Sequence, residues 1–504
     1  MITKSFWKYL AILVVVGCSV AKASHNVILI LTDDQDVLLK SMEFLPKIDK
    51  LLVNKGTTFA NAFTSSPICC PSRASLLTGL YAHNAKTFNN SKNGGCYSSN
   101  WVDTHEKATF PALLKEAGYG TFYAGKYLNQ YDSKQVPVGY DEFFGLHGNS
   151  KYYNYTLNEN GETIHYGDAP EDYLTNVIKV KALEFIQKQS TTKPWFAMLS
   201  VPAAHAPFTP EDKYLDFYQN ETIPRGQNFN AGAKPFKKHW LMTMDPEELP
   251  DEVIETIDGY YHSRLETLLT VDDMVEEIVL LLNKQKMMEN TFIIFTSDNG
   301  YHLGQWAMPF DKRLPYETDI RVPLVVRGPN VPMNSVVNSP VMLFDLAPTI
   351  LNLAKVPVDN EQFDGQPFDQ FLMPSYNGKV EERKMLIEYW GEGDVDTYNP
   401  DCPYKKNQRL SGCAVEASCK CQDSWNNTYA CVRHFGPEDN FIFCTFNDHE
   451  SYQEAYDLET DCHQLHNIGF EILPSVQAQY QIMVENLKVC KGATCRSNGK
   501  AKVH

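Results

Sequence analysis

Asn26-Val-Ile-Leu-Ile-Leu-Thr-Asp-Asp34 decides the fold. An apolar run with no charged side chain stops at two adjacent carboxylates. Such a run suits a strand buried on both faces, as in a parallel sheet covered by helices. The pattern returns at Thr291-Phe-Ile-Ile-Phe-Thr-Ser-Asp-Asn299, which also ends in oxygen donors. Phe110–Gly118 reads as a helix with a glycine stop, followed by a short strand at Thr121–Ala124. Pro194–Ser200 and Val322–Val326 read as further strands, and Leu265–Lys284 has helical periodicity. Strands alternating with helices imply an α/β fold: a mostly parallel sheet sandwiched by helices.

The chain has 504 residues, longer than the roughly 250–300 at which single cores stop growing, so two domains are expected. From Pro374 to Arg383 the sequence turns polar and turn-rich, which places the boundary there. A catalytic domain over 24–375 and a smaller, disulfide-rich α+β domain over 376–504 are expected. Hydrophobic residues at 43% and charged residues at 21% argue against disorder. A formal charge of −17 argues against a nucleic-acid binder. An anionic ligand would need a locally basic pocket.

Residues 1–23 read as a secretory signal. Lys4 and Lys8 precede the apolar Leu10–Val16, and Ala21-Lys22-Ala23 is a small-x-small cleavage site. No later stretch is apolar enough for a membrane span. Sequons at Asn89, Asn154, Asn220 and Asn426 favour a glycosylated product of the secretory route. Nine cysteines fall in the last quarter, as an oxidising compartment permits. Cys490 and Cys495 are close enough to close a local loop. Cys419-x-Cys421 is too tight for the usual zinc knuckle.

Ligands bind at the C-terminal ends of strands in an open parallel sheet. Two strand ends here supply Asp33-Asp34 and Asp298-Asn299. Converging carboxylate and amide oxygens suit a hard divalent cation, calcium first and magnesium second. Either strand end alone reads as well as a helix or turn cap. The pair shifts the balance to a metal. A third element is Cys69-Cys70-Pro71-Ser72-Arg73, leading into a helix over Ser72–Leu77. A thiol near a helix N-terminus and an arginine is a candidate nucleophile with a depressed pKa. The competing reading is a disulfide, with Cys96 as one partner.

Cys69-x-Pro71-Ser72-Arg73 with Leu76-Leu77-Thr78-Gly79 resembles the sulfatase signature. The Asp33-Asp34 strand end, Gly125-Lys126, His205-x-Pro207 and Asp298-Asn299-Gly300 follow in that family's order. The resemblance implies an alkaline-phosphatase-like fold. Within the family it is closest to the group acting on 6-O-sulfated N-acetylglucosamine in heparan and keratan sulfate. Leu31–Asp36, Ala124–Asn129, Ser150–Thr156, Ser297–His302 and Asn427–Cys431 carry that likeness. The long basic insertion of the related endo-6-sulfatases is not found.

The resemblance implies that a formylglycine-generating enzyme oxidises Cys69 to Cα-formylglycine during secretion. Its hydrate supplies the nucleophile and later expels sulfate, a step closed to a plain thiol. It further implies one calcium ion on Asp33, Asp34, residue 69, Asp298 and Asn299. Arg73 orients the nucleophile, Lys126 and Lys312 bind sulfate oxygens, and His205 protonates the leaving sugar oxygen at lysosomal pH. Leu128 stands where many sulfatases carry a histidine, so the proton-accepting role is unassigned between Asn129 and His302. The expected partner is a sulfated glycosaminoglycan oligosaccharide, and the expected location the lysosome or outside the cell. The oligomeric state stays open, with a homodimer as one arrangement. Three alternatives stand beside this reading: another sulfatase specificity, a phosphatase or phosphodiesterase on the same scaffold, and a glycan-binding protein with unconverted Cys69.

Overall fold

The strand Asn26–Thr32 forms over the span its sequence indicates, with every residue buried. Its side chains alternate between two apolar layers, as period-two geometry requires. Val27, Leu29 and Leu31 join a layer containing the helices Cys69–Thr78, Phe110–Glu116 and Leu346–Leu353. Ile28 and Ile30 join the layer of Leu174–Lys188 and Asp251–Lys284 on the opposite face. This computed structural model describes residues 24–357, 359–392, 410–411, 417 and 420–496. The expected signal peptide and Cys402, Cys413 and Cys419 lie outside the described residues.

The main sheet is ten-stranded among the described residues. Five neighbouring strands are parallel: Thr291–Ser297, Asn26–Thr32, Trp195–Ser200, Gly120–Lys126 and Glu142–Leu146. Its margins depart from the parallel pattern. Leu324–Arg327 runs antiparallel to Thr291–Ser297 and to Thr57–Phe59, and the hairpin of Thr156–Glu159 with Glu162–His165 closes the other side. The long helix begins at Asp251, well before Leu265. Val253, Ile257, Tyr261 and Leu265 form a sparse i, i+4 stripe that holds its first half against the protein.

Arg383–Tyr389, Tyr429–Phe435, Asn440–Phe446 and Gln453–Asp457 form a separate antiparallel sheet. It shares one apolar cluster with Phe63, Ile68, Tyr81, Trp306 and Phe344 of the larger unit. Cys431 and Cys444 are directly opposite across two of its strands and are bonded. Cys490–Cys495 closes the expected local loop. Cys421 is disulfide-bonded, which removes it as a zinc ligand. Asn154 and Asn220 are exposed and Asn89 is half-buried. Asn426 is buried, and its Oδ1 accepts from Ser424 Oγ at 2.9 Å. No helix among the described residues is long and apolar enough to cross a membrane.

Glu106 is buried beside the aromatic group of Tyr97, Tyr127, Tyr131 and Tyr140. Burial pushes its carboxyl up to about 7, against one hydrogen bond from the Val138 amide and the charge of Lys107. Between the ordinary carboxylate range and about 7 the folded chain therefore keeps a proton that the unfolded chain releases. This contribution, on the order of 1–3 kcal/mol, is present at low pH and is lost as pH rises through 7. Melting curves at pH 5 and pH 8 should show higher stability at pH 5. Glu106→Gln should reduce that difference; an unchanged difference would remove Glu106 as its source.

Candidate active site

The parallel register brings the ends of separate strands to one edge. Thr32 pairs with Ser297 and Leu31 with Ser200, so Asp33, Asp34 and Asp298 meet where these strands end. Gly125 packs so closely on the next strand that a Cβ would lie 1.8 Å from Ser200 O. Only glycine permits this approach at φ +113°, and it sets Lys126 at the same edge. The helix Cys69–Thr78 starts over this edge, with extended Ile68 before it and Gly79 in the left-handed conformation after it. Pro71 sits in its first turn, where a missing N–H costs nothing.

Asp33, Asp34 and Asp298 are essentially sealed from solvent, with ligand oxygens within 4.8 Å of one another. Lys126 Nζ donates to Asp33 Oδ2 at 2.6 Å, and Lys312 Nζ donates to Asp34 Oδ2 at 2.6 Å. Arg73 Nε donates to Asp298 Oδ2 at 2.8 Å, and its Nη2 lies 3.5 Å from Asp33 Oδ1. Asn299 Nδ2 donates to Asp34 Oδ1 at 2.8 Å. Cys69 Sγ lies 3.6 Å from Asp33 Oδ1, and His205 Nε2 lies 3.8 Å from Asp34 Oδ2. The nine positions assigned to catalysis or metal binding from the sequence thus fall in one cluster, buried except at the partly exposed His205.

Burial opposes ionisation of these carboxyls, yet Lys126, His205, Arg73 and Lys312 together hold Asp33 well below its usual range. Asp34 is also lowered, chiefly by Lys312 and His205 against burial and Asp33. Burial and the charge of Asp33 push Asp298 up to about 7, against Arg73 and Lys126. Three carboxyls thus face three cations, and burial with the charge of Asp33, not a missing cation, keeps Asp298 high. Asn299 Oδ1 is buried without a hydrogen-bond partner. A crowded set of carboxylates with an orphaned amide oxygen fits a hard divalent cation.

Cys70, not Cys69, is bonded to Cys96, which leaves Cys69 as a free thiol. Its pKa is not depressed as a nucleophile's would be. Burial pushes it up to about 12, because Asp33 and Asp298 offset the help of Lys126 and Lys312. A thiol in that state is inert near neutrality. His205 also departs from expectation. Burial pushes it down to about 4, with Asp33 pulling up and Lys312 pushing further down. Its Nδ1 faces Ala206 O at 2.6 Å, which fixes the Nδ1–H tautomer and leaves Nε2 toward the carboxylates.

Neither candidate for the unassigned role lies free at the centre. His302 Nδ1 is held by Asp319 at 3.0 Å, and its Nε2 lies 3.4 Å from Gln422 Oε1. Asn129 Nδ2 donates to Asn149 Oδ1 at 3.2 Å. Leu128 is buried in an apolar layer.

Several positioning groups had no role assigned from sequence, although Ser150 and Tyr152 lie in the Ser150–Thr156 stretch that carries the family likeness. Ser150 Oγ donates to Asp33 Oδ2, and Arg73 Nη1 donates to Ser200 Oγ at 2.6 Å and Lys126 O at 2.8 Å. Arg264, on the long helix, donates to Asp34 O at 2.7 Å and to Ala204 O at 3.0 Å. Tyr152 OH donates to His205 O at 2.8 Å. Ser200 had a signal of another kind, as a polar residue ending an otherwise apolar strand.

The sulfatase family profile matches residues 25–356. N-acetylglucosamine-6-sulfatase of Capra hircus is 41% identical over 489 residues, covering 95% of this chain and 86% of that protein. The Homo sapiens protein of the same name is 40% identical over 496 residues, covering 96% and 88%. Among solved structures, BT4656 in complex with its substrate D-glucosamine-2-N,6-O-disulfate superposes with a TM-score of 0.69 at 23% identity, covering 95% of this chain and 100% of that one. Its fold is the alkaline-phosphatase-like arrangement found here. With a family match over most of its length and relatives at 40–41% identity over more than nine-tenths of it, the chain belongs to the sulfatase family.

Proposed function

We propose that this sulfatase removes 6-O-sulfate from N-acetylglucosamine or glucosamine units of heparan and keratan sulfate. The observation that carries the substrate is the 40–41% identity, over more than nine-tenths of the chain, to proteins named N-acetylglucosamine-6-sulfatase. The disulfides agree with the secretory route, and an acidic compartment such as the lysosome is the proposed place of action.

Asp33, Asp34, Asp298 and Asn299, with residue 69, would hold calcium, which supplies positive charge and acidifies an oxygen nucleophile presented to it. Conversion of Cys69 to Cα-formylglycine would replace an inert thiol with a hydrated aldehyde. The side chains around it do the rest. Arg73 is fixed by Asp298, Ser200 and the Lys126 carbonyl, and so aims its remaining Nη2 at the nucleophile's position. Lys126 and Lys312 have three donors each and use the spare ones on sulfate oxygens. Fixed cations of this kind stabilise the negative charge spread over the transferring group without reorganisation. The sulfate charge also raises the His205 pKa on binding, so that Nε2 can carry the proton delivered to the sugar oxygen.

Mass spectrometry of the peptide ending at Arg73 should show an aldehyde at position 69. The purified protein should release sulfate from N-acetylglucosamine 6-sulfate at acidic pH. An aldehyde without release would sink the substrate assignment, and an unmodified thiol the enzyme reading. His205→Gln should cut kcat by about 10²–10⁴-fold on the sugar sulfate and far less on an aryl sulfate with an acidic phenol. Equal losses on both would argue against proton donation by His205. Chelation should abolish turnover and calcium should restore it, while Asn299→Ala should raise the calcium concentration needed. Full activity after exhaustive chelation would contradict a metal at this cluster.

A further inference from the structure

A groove of about 770 Å3 lies outside the catalytic ring, between the segment carrying His83–Phe88, the C-terminal antiparallel sheet and the end of the helix Pro474–Leu487. Phe88 and Trp390 meet edge to face at 4.8 Å on its wall, and Phe446 lines it too. Trp390 is 39% exposed. A solvent-facing tryptophan with a second ring set against it offers a flat apolar surface, framed here by polar groups. A pyranose ring has the matching character, with apolar C–H faces and hydroxyl edges.

The charge of the groove points the same way. His83 Nδ1 lies 2.9 Å from Glu388 Oε1, and its Nε2 lies 3.0 Å from Cys490 O. Both partners accept, and against burial Glu388 raises the His83 pKa, which favours the doubly protonated ring at acidic pH. Lys86 is exposed and has no ion-pair partner among the described residues, and Lys488 shares Glu485 at 3.0 Å. With His83 protonated, the lining holds three positive groups against Glu388 and Glu485, and Lys86 is the one left unpaired among the described residues, on a chain whose formal charge is −17. Such a local excess suits an anionic saccharide.

The groove is also tied to the catalytic ring. Asn90 Oδ1 accepts from the Cys70 amide at 2.9 Å, and Glu392 Oε1 accepts from the Asn90 amide at 3.0 Å. Phe88 and Trp390 precede these two residues on the same two segments. The Cys70–Cys96 disulfide and the Phe88 amide bond to Gly94 O at 2.6 Å hold the first segment in place, so little ordering is needed on binding.

We propose that this groove binds the sugar units that follow the terminal sulfated residue, as a sulfated oligosaccharide strand leaving the catalytic ring. The inference rests on the 6-sulfatase reading above. Steady-state kinetics on N-acetylglucosamine 6-sulfate and on a sulfated hexasaccharide with the same terminal unit would test it. Trp390→Ala should raise KM for the hexasaccharide about tenfold and leave the monosaccharide unchanged, while Trp390→Phe should retain most of the hexasaccharide affinity. Lys86→Ala with Lys488→Ala should act in the same direction and weaken the salt dependence. Equal losses on both substrates, or no change on either, would overturn the proposal. If wild type hydrolyses neither substrate, the 6-sulfatase reading fails instead. Calorimetric binding of the hexasaccharide then judges the groove, and equal affinity for wild type and Trp390→Ala rejects it. Asn89→Gln completes the set: a gain in hexasaccharide affinity would mean that the protein's own glycan fills the groove, and the proposal would fall.

Discussion

Three carboxyls buried together at one sheet edge are the constraint on which the rest of the molecule depends. Removing a carboxylate from water is costly, and gathering several multiplies the cost through their mutual repulsion. The fold answers with cations from three separate places. Arg73 comes from the short helix, Lys126 from a strand end, and Lys312 from the segment after the second Asp-containing strand. Each reaches one carboxylate, yet Asp298 still rises to about 7. Burial and mutual repulsion of the three carboxyls, with the unpartnered Asn299 Oδ1 beside them, are the physical reason the cluster suits a divalent cation.

Much of this arrangement was legible because burial on two faces leaves a strong sequence mark. The runs at Asn26 and Thr291 could be read as strands, and their polar stops located Asp33, Asp34, Asp298 and Asn299. Lys126, His205 and Lys312 carried no such mark and were found only through the family likeness. The groups that orient them were hidden further. Arg264 reaches Asp34 from the polar half of a helix whose apolar stripe was too sparse to read, and Ser150 approaches Asp33 from a loop. The ionisation states were illegible for another reason. Proximity of Arg73 to Cys69 suggested a lowered thiol pKa, but complete burial beside two carboxylates reverses the sign. Sequence reveals neighbours along the chain, while desolvation depends on what closes around them.

The antiparallel C-terminal sheet takes part in the same site. Arg313 follows Lys312 directly, and its amide donates to Pro67 O at 3.1 Å while its carbonyl accepts from Tyr429 OH at 3.0 Å. Its guanidinium meets Asp311 and lies 3.2 Å from Glu392 Oε2. Tyr429 and Glu392 belong to the C-terminal part, so Tyr429, 116 positions along the chain, holds the backbone beside Lys312 and Glu392 holds the adjoining side chain. The shared apolar cluster makes this coupling stiff, because Tyr81 and Phe344 pack with Met385 and Leu386 in one core.

The burial of Cys69 also orders events in time. The residue is fully enclosed, at the first position of a helix whose every residue is buried. Sheet strands lie beneath it, and the disulfide of its neighbour Cys70 ties down the loop to Cys96. An enzyme that must grasp several residues around this thiol has no access once the strands and helix have closed. The proposed conversion of Cys69 would therefore have to come before closure, while the stretch from Ile68 to Arg73 is still accessible. The same closure would keep bulk amines and thiols from a proposed aldehyde there, and the nearby Lys126 and Lys312 are held as ammonium donors on Asp33 and Asp34. On the proposed reading, burial of the site and early modification are one requirement, set by the depth at which the carboxylate edge lies.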